Sequence, residues 1–150
     1  FSIWAEQGMD IERELLHLVN EDTEAFNRIM NAFGMPKNTP EEKAARTEAI
    51  QTATLFAAEV PLETMKASFE VFAVCRKMVE RGNPNSVSDA GVGALAARAA
   101  VLGAGMNVKI NAGSLKDRAK AEALIGEANE LIAKDNKEEA EITALVETKL

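Results

Sequence analysis

Glycine and proline interrupt this 150-residue chain at a few points and leave long runs between them. The segments 34–36 (Gly-Met-Pro) and 82–84 (Gly-Asn-Pro) are typical helix endings, because glycine stops a helix readily and proline cannot continue one. Between the breaks, apolar residues recur at spacings of three and four, and no Asn-Gly or Asp-Gly hairpin turn occurs. The pattern predicts an all-α fold.

The positions of the breaks predict an up-and-down bundle of about five helices in one domain over residues 1–150. The predicted helices run from Asp10 to Phe33, from the Thr39 cap to near Glu59, from Pro61 to the break at Gly82, from the Ser88 cap through Leu102 toward Asn111, and from Leu115, capped by Ser114, to near the C-terminus. Residues 39–42 (Thr-Pro-Glu-Glu) also predict a capping box. Gly103 and Gly105 are places where the fourth helix can bend or break, and the polar tail beyond Asp135 is expected to fray.

Charge and cysteine content narrow the class of protein. Seventeen basic residues stand against 24 acidic ones, a net charge of −7 that disfavours nucleic-acid binding. The most apolar stretch, Ala90 to Val108, carries Arg98 near its middle, where membrane insertion costs about 2.5–3.5 kcal/mol. The lone Cys75 fits a reducing compartment, and the sequence shows no secretory leader. We therefore expect a cytoplasmic protein without a membrane or nucleic-acid partner.

One carboxylate falls on an apolar stripe of the first predicted helix. The stripe consists of Leu15, Val19, Phe26, Ile29, Met30 and Phe33. Asp22 lies three residues after Val19 and four before Phe26, so the spacing predicts that it faces the core, where a carboxylate must be paired or line a cavity. Partial burial would raise its pKa toward the range useful for proton transfer. The alternative is that Asp22 lies at the edge of the stripe and caps a neighbouring helix.

Polar residues at the start and end of the fourth predicted helix share one face. Asp89 and Asn107 are eighteen positions apart, which is five turns at ~3.6 residues per turn and ~27 Å along the axis. Asn111 follows on the same side, and Arg98 points the opposite way. The two ends could hold a long ligand or belong to sites in different subunits, but they cannot both touch one reacting atom. Alternatively, Asp89 only caps its own helix.

The same helix is rich in small residues. They are Gly91, Gly93, Ala94, Ala97, Ala100, Gly103 and Ala104. Glycine within a helix costs ~1 kcal/mol relative to alanine, so a compensating role is expected. Either neighbouring helices approach closely there, or a flat ligand lies beside the helix.

Metal and nucleophile signals are weak. His17 is the only histidine and Cys75 the only cysteine, too few for the usual ligands of a zinc site, so we expect no metal. We expect His17 to lie on the surface. Cys75 follows apolar residues and is expected in the core. No phosphate-binding loop, dinucleotide fingerprint or Gly-x-Ser-x-Gly motif occurs.

Four passages resemble the formiminotetrahydrofolate cyclodeaminase / methenyltetrahydrofolate cyclohydrolase family. They are LVNEDTEAFNRIM (18–30), MPKNTPEEKAARTEAIQ (35–51), GNPNSVSDAGVGALAARAA (82–100) and NVKINAGSLKD (107–117), in the family's order. The resemblance implies an all-α fold that oligomerises through helix faces, as a homodimer or a larger homo-oligomer. It also implies a place in one-carbon metabolism and, for the cyclodeaminase, in histidine degradation.

The implied chemistry acts on a tetrahydrofolate derivative, with a polyglutamate tail in some substrates. In cyclodeamination N10 attacks the formimino carbon on N5 and ammonia leaves, giving 5,10-methenyltetrahydrofolate. In the cyclohydrolase reaction water adds to the methenyl carbon and gives 10-formyltetrahydrofolate. Both reactions need proton transfer and no metal or redox cofactor, and a fused or separate formiminotransferase is an implied partner.

The resemblance suggests roles for the polar residues. Asp22 is expected to act as general acid/base, and Asp89 to bind the pterin or stabilise the cationic methenyl carbon. Residues expected to help bind the substrate are Phe26, Asn83, Asn85, Ser86 and Ser88, with Asn107 and Asn111 as amide donors and Lys37 and Lys43 facing the glutamate carboxylates.

One departure from the family leaves alternatives open. Family members open with a Gly-rich stretch and an Ala-rich helix, whereas this sequence opens with FSIWAEQGMDIERELL. We expect those residues either to precede Phe1 or to be lost in a shortened relative, whose pocket would be incomplete. The alternative functions are a non-catalytic folate-binding or assembly module, and a structural bundle unrelated to folate.

Overall fold

Four long helices contain most of residues 2–150, the part of the chain that the computed structural model describes. They are α1 (Ser2–Gly34), α2 (Pro40–Arg81), α3 (Val87–Gly113) and α4 (Arg118–Glu147), with a 3₁₀ turn at Pro84–Ser86 before α3. No strand occurs in these 149 described residues. The predicted all-α class is therefore confirmed, whereas the structure has four helices where the sequence suggested five.

The second and third predicted helices are one helix, α2, because it continues through Pro61. Proline has no backbone N–H, so the carbonyl of Ala57, four residues earlier, loses its donor within the helix. The side-chain amide of Asn111, on α3, donates to this carbonyl at 2.7 Å. The helix thus passes a buried proline while its free carbonyl is satisfied from a neighbouring helix.

The capping predictions hold at one helix start and not at two others. Thr39 caps α2 in the predicted capping box with Glu42. At α3 the helix begins one residue before Ser88, and its cap position, Ser86, makes no side-chain capping bond. At α4 the cap is Asp117, which accepts from the backbone of Lys120, and Ser114 is not the cap.

The tail beyond Asp135 is helical to Glu147, contrary to the expected fraying. Ile142 and Val146 are buried there with Phe72 of α2 and Ala94 of α3 in one core cluster. An apolar face repeating at three- and four-residue intervals docks this segment despite its many charges. Most of its charged residues lie on the outer face, and the buried Glu139 is paired with Arg98 of α3.

The bundle is organised around α2, which contacts each of the other three helices. Helices α3 and α4 also pack against each other, so α2, α3 and α4 enclose the main core. Met65 and Phe72 are its largest fully buried side chains. Helix α1 packs on the other side of α2 through Leu18 and Ala25, which contact the cluster around Ala57.

The small residues of α3 serve close helix packing at several positions. A Cβ added to Gly93 would lie 3.0 Å from the Cys75 sulfur, and one added to Gly91 would lie 3.3 Å from Val146. At Gly103 nothing lies within 4 Å of the added atom. Neither Gly103 nor Gly105 interrupts the helix. Close packing therefore accounts for Gly91 and Gly93, and the structure gives no account of Gly103.

Within the described residues, one segment, Pro84–Gly113, is long and apolar enough to cross a membrane by length and composition alone. Its most apolar window has a mean hydropathy of 1.3 and is 39% buried by the rest of the chain. Helix α3 packs on α2 and α4 through this segment, so it is a core helix of the bundle. Packing in the core accounts for the buried part of its apolar composition.

Two rows of large apolar side chains remain exposed. The α1 row comprises Val19, Phe26, Met30 and Phe33, and the α3 row comprises Val92, Leu95, Met106 and Ile110. Phe26 is 63% exposed and Ile110 is 71% exposed. Contiguous exposed apolar residues mark surfaces that bind another molecule.

Candidate functional site

A cleft of about 490 Å³ opens where α2 ends and α3 begins. Three of the predicted polar residues, Asn83, Ser86 and Asp89, line it together. Met78 of α2 and Ala90 of α3 supply apolar walls. Apolar walls with a few convergent polar groups are the usual composition of a small-molecule site.

The turn between the helices sets the positions of these polar groups. The Gly82 backbone N–H donates to the Met78 carbonyl at 2.8 Å, and a Cβ at Gly82 would collide with that carbonyl oxygen. The Asn83 side-chain oxygen then accepts from the Asn85 backbone N–H at 3.0 Å and starts the 3₁₀ turn. Proline at position 84 fits the first position of such a turn. The Gly-Asn-Pro-Asn sequence is thus a compact turn that places Ser86 and Asp89 on one side.

Asp89 lies in the first turn of α3 and is exposed. Its negative charge is favourable near a helix N-terminus, which agrees with the helix-dipole alternative, and its position in the cleft leaves it accessible to a ligand. Asn85 and Ser88 are also exposed but do not line the cleft. The structure thus places three of the five predicted polar residues of this turn together.

Asp22 does not face the core, which corrects the sequence-based prediction. It is exposed, between Leu15 and Ile29 at seven-residue spacing, and both of these are half-buried. The buried face of α1 consists of Ile11, Leu18, Ala25 and Ala32. Alanines allow α1 to approach α2 closely, so the larger side chains of the predicted stripe, Phe26 among them, stay outside. Asp22 lies at the edge of the contact with α2, as the first half of the alternative interpretation held, and the helix caps described above are other residues.

The remaining predicted residues lie toward the other end of the bundle. Asn111 is half-buried and its amide is bound to Ala57. Asn107 is exposed on α3, and Lys37 and Lys43 are exposed where α1 joins α2. The prediction that Asp89 and Asn107 share one helix face is confirmed, since α3 is one continuous helix and both side chains are exposed. Arg98 points away, to Glu139 of α4.

The candidate residues therefore form two groups. Leu18 and Ala25, which flank Asp22, cluster with Ala57, and Asn111 binds Ala57 from α3. Asp22 and Asn111 thus lie at the same level of α2. The cleft begins at Met78, 21 residues and ~30 Å farther along α2. Within one chain, Asp22 and Asp89 do not share a site.

Sequence reasoning missed the apolar walls of the cleft. Neither Met78 nor Ala90 was among the predicted site residues, although both line the cleft. Both residues lie close in sequence to the Gly-Asn-Pro turn, and this could have indicated their role. The last turn of α2 and the first turn of α3 line the cleft between these two helices.

Other reactive groups are unsuited to catalysis. Cys75 is buried, and its desolvation raises the pKa of the thiol, which keeps it protonated. His17 is on the surface, as predicted, 4.0 Å from Glu21. Among residues 2–150 no group of three or more His, Cys, Asp or Glu side chains is arranged to hold a metal ion. Carboxylate, amide and hydroxyl groups therefore remain as the chemical repertoire of the cleft.

Comparison with known proteins finds relatives that are named as a cyclohydrolase and as cyclodeaminases. A family model described as formiminotransferase-cyclodeaminase matches residues 2–130. A methenyltetrahydrofolate cyclohydrolase of Methylorubrum extorquens is 43% identical over 128 residues, which are 85% of this chain and 62% of that protein. A formimidoyltransferase-cyclodeaminase of Gallus gallus is 37% identical over 111 residues, covering 74% of this chain and 20% of that protein.

The fold has a counterpart among solved structures. A formiminotetrahydrofolate cyclodeaminase from Thermotoga maritima superposes with a TM-score of 0.79 at 24% identity, over 93% of this chain and 66% of that one. The chain thus spans less than two thirds of the length of the relatives compared here, and the match to the family model contains every candidate site residue. On the extent of that match, the chain belongs to the formiminotransferase-cyclodeaminase family.

Proposed function

We propose that this protein is a folate one-carbon enzyme. It converts 5-formiminotetrahydrofolate to 5,10-methenyltetrahydrofolate and ammonia, or hydrolyses 5,10-methenyltetrahydrofolate to 10-formyltetrahydrofolate. The observation that carries the proposal is the family match over residues 2–130, supported by 43% identity to a protein named as a cyclohydrolase. The cleft at the α2–α3 turn agrees with it, because it offers groups for proton transfer and hydrogen bonding beside apolar walls.

In this proposal Asp89 acts in the cleft. Its carboxylate stabilises the positive charge of the methenyl bridge or of the protonated formimino group, and Asn83 and Ser86 orient the pterin by hydrogen bonds. A fixed negative group near a developing cation lowers the barrier without reorganising. Asn85 and Ser88, which are exposed beside the cleft, extend the polar rim for the bound ligand.

Asp22 belongs to the second group of candidate residues, which lies away from the cleft. It can act as general acid/base only if a substrate bound in a cleft also reaches this second group. It is exposed and ~30 Å from the cleft along α2, so a second copy of the chain is the proposed means of joining the two groups. In that arrangement Phe26 and Asn107 contact the substrate beside Asp22, Asn111 keeps its bond to Ala57, and Lys37 and Lys43 meet the carboxylates of a polyglutamate tail.

A homodimer or larger homo-oligomer is therefore part of the proposal. The α1 and α3 rows of exposed apolar side chains are the surfaces that such an assembly would bury. Sedimentation measurements test this arrangement. A monomer at micromolar concentration, with full activity per chain, would remove the second copy from the proposal.

The cellular setting is proposed from the family alone. The protein works in the cytoplasm, without a metal or redox cofactor. If it is a cyclodeaminase, it serves histidine degradation beside a formiminotransferase, which is fused to it or separate.

A non-catalytic folate-binding module is the second candidate. It is favoured by the separation of Asp22 from the cleft, which is ~30 Å along α2 within one chain. An enzyme and a binder differ in turnover, so one assay separates them.

The assay uses the near-ultraviolet absorbance of the methenyl bridge, which the formyl product lacks. A cyclohydrolase makes the band decay faster than in buffer, a cyclodeaminase makes it grow from the formimino substrate, and a binder does neither while raising the melting temperature with the ligand. General acid/base catalysis contributes about 10²–10⁴-fold, so Asp22→Asn should slow turnover by a factor in that range.

Glu12→Gln is the matched control, because it removes an exposed carboxylate from the same helix. Equal turnover in Asp22→Asn, Glu12→Gln and the parent would remove Asp22 from the mechanism.

A further inference from the structure

A carboxylate is buried in the core without a hydrogen-bond partner. Asp135 of α4 is 0% exposed, and neither of its carboxylate oxygens has a partner among the described residues. It lies beyond residue 130, where the match to the family model ends, and far along the chain from the candidate site. An unpaired buried charge is among the costliest features that a core can contain.

Its position follows from the contacts one turn away. A Cβ at Gly105 of α3 would lie 3.1 Å from the ends of both Met65 and Ile132, so these three residues occupy one level of the bundle. Helices α2 and α4 run in the same direction and α3 runs opposite, as successive short turns require. One turn farther along α2, the next level therefore contains Ser68 (three residues after Met65), Asp135 (three after Ile132) and Val101 (four before Gly105).

These three residues are Ser68, Asp135 and Val101, and we name them the Asp135 layer. Ser68 is 1% exposed and its hydroxyl, like the Asp135 carboxylate, has no partner among the described residues. Val101 is 0% exposed. The layer thus holds two polar side chains without partners, and the apolar level of Met65 and Ile132 lies on one side of it.

The charges near the layer do not balance. From α3, Arg98 binds Glu139 at 2.6 Å, and Glu139 is itself buried on α4. One guanidinium therefore faces two acids, Glu139 and Asp135. From α2 the nearest cations are held elsewhere, since Arg76 binds Glu138 and Glu141, and Lys66 binds Glu63 and Glu127.

We propose that the Asp135 layer binds one proton and acts as a pH-sensitive clamp between the C-terminal half of α4 and the rest of the bundle. With Asp135 protonated, the charges at this level are one cation and one anion, which pair. With Asp135 ionised, a second carboxylate is buried without a counter-charge, and the segment after it is loosened.

The direction of the pH effect follows from burial. Desolvation raises the pKa of Asp135 from 3.8 to about 6, against a smaller opposing effect of Arg98. The folded state thus holds this proton more tightly than the unfolded state. Below the unfolded pKa the ionisation of Asp135 costs no stability, the cost grows as pH rises through the folded pKa, and it is complete above the folded pKa.

The clamp also supports the candidate cleft. Beyond Asp135, Val146 packs against Gly91 of α3, and Ile142 shares a core cluster with Ala90, which lines the cleft beside Asp89. Loosening of α4 would therefore be transmitted to the first turn of α3. This last consequence rests on the proposed function, whereas the clamp itself does not.

The test compares the parent with Asp135→Asn, which keeps the size of the side chain and removes its titration. Urea unfolding followed by circular dichroism gives the unfolding equilibrium constant across the pH range. We expect the ratio of the two constants to be less than about threefold near pH 4 and on the order of a hundredfold near pH 8, with the variant more stable. Amide exchange in residues 131–147 should be slower in the variant at the higher pH only.

Glu130→Gln is the control, because it removes an exposed carboxylate from the same helix. It should retain the pH dependence of the parent. The proposal is overturned if Asp135→Asn has the pH dependence of the parent, or if Glu130→Gln changes it as much.

A direct titration of the parent does not depend on any variant. Carboxyl-carbon NMR should show the Asp135 midpoint near 6 in the folded protein, and a midpoint below about 4 would overturn the proposal. None of these measurements uses enzyme activity, so their failure would leave the proposed function untouched.

Discussion

The bond between Asn111 and the Ala57 carbonyl predicts an energetic coupling across two helices. Pro61 removes the donor that Ala57 would otherwise use within α2, and Asn111 replaces it at 2.7 Å in a partly buried position. Asn111→Ala leaves that carbonyl without a partner, which costs about 1–3 kcal/mol. Alanine is a better helix former than asparagine by up to about 0.7 kcal/mol, so the net loss should be about 0.3–3 kcal/mol.

A second substitution isolates the cause. Pro61→Ala restores the backbone N–H, so α2 can satisfy the Ala57 carbonyl by itself. In that background Asn111→Ala should cost less than in the parent by about 1–3 kcal/mol. The change in helix propensity and the loss of proline packing cancel in the cycle, because each appears in both backgrounds.

The assay is urea unfolding of the parent, both single variants and the double variant, at one pH and one protein concentration. A coupling free energy near zero would refute the reasoning, because the cost of losing Asn111 would then be independent of the proline. A cost of Asn111→Ala that is larger in the Pro61→Ala background would refute it as well.

Two further substitutions test the local physics of the helices. Gly103→Ala should stabilise the isolated chain by about 1 kcal/mol, since nothing lies within 4 Å of the added methyl group. The methyl group of Gly105→Ala meets Met65 and Ile132 at 3.1 Å, so this variant should be stabilised clearly less. Equal increases in stability, measured by thermal unfolding, would contradict this. Thr39→Ala removes a capping box and should cost about 0.5–2 kcal/mol, and a loss below measurement error would show that the cap contributes little.

The helix class and one cap were predictable because they depend on local chemistry. Thr39 and the turn after Gly82 carry their structure in adjacent residues. The break at Pro61 was predicted wrongly because the residue that rescues the helix, Asn111, is fifty positions away. No local pattern can indicate a donor supplied by another helix.

The side of α1 that faces the core was mispredicted for a related reason. Large apolar residues such as Phe26 suggested the buried face, but the contact with α2 is made through Ala25 and Ala32, which permit a shorter distance between helices. The polar groups of the cleft, Asn83 and Asp89, were predictable because a single turn places them together. Asp135 was read as the start of a fraying tail, because its burial depends on packing against α2 and α3.

The central claim is that the chain turns over a tetrahydrofolate derivative in the α2–α3 cleft. It is tested most directly by following the methenyl absorbance of 5,10-methenyltetrahydrofolate and of the formimino substrate with the parent and with Asp89→Asn. We expect one of the two reactions to accelerate in proportion to the parent protein, and Asp89→Asn to lose about 10²–10³-fold of that rate. Its stability to urea should fall by no more than the helix-dipole contribution of the charge, about 0.3–1 kcal/mol. No acceleration by the parent, or full turnover by Asp89→Asn, would contradict the account.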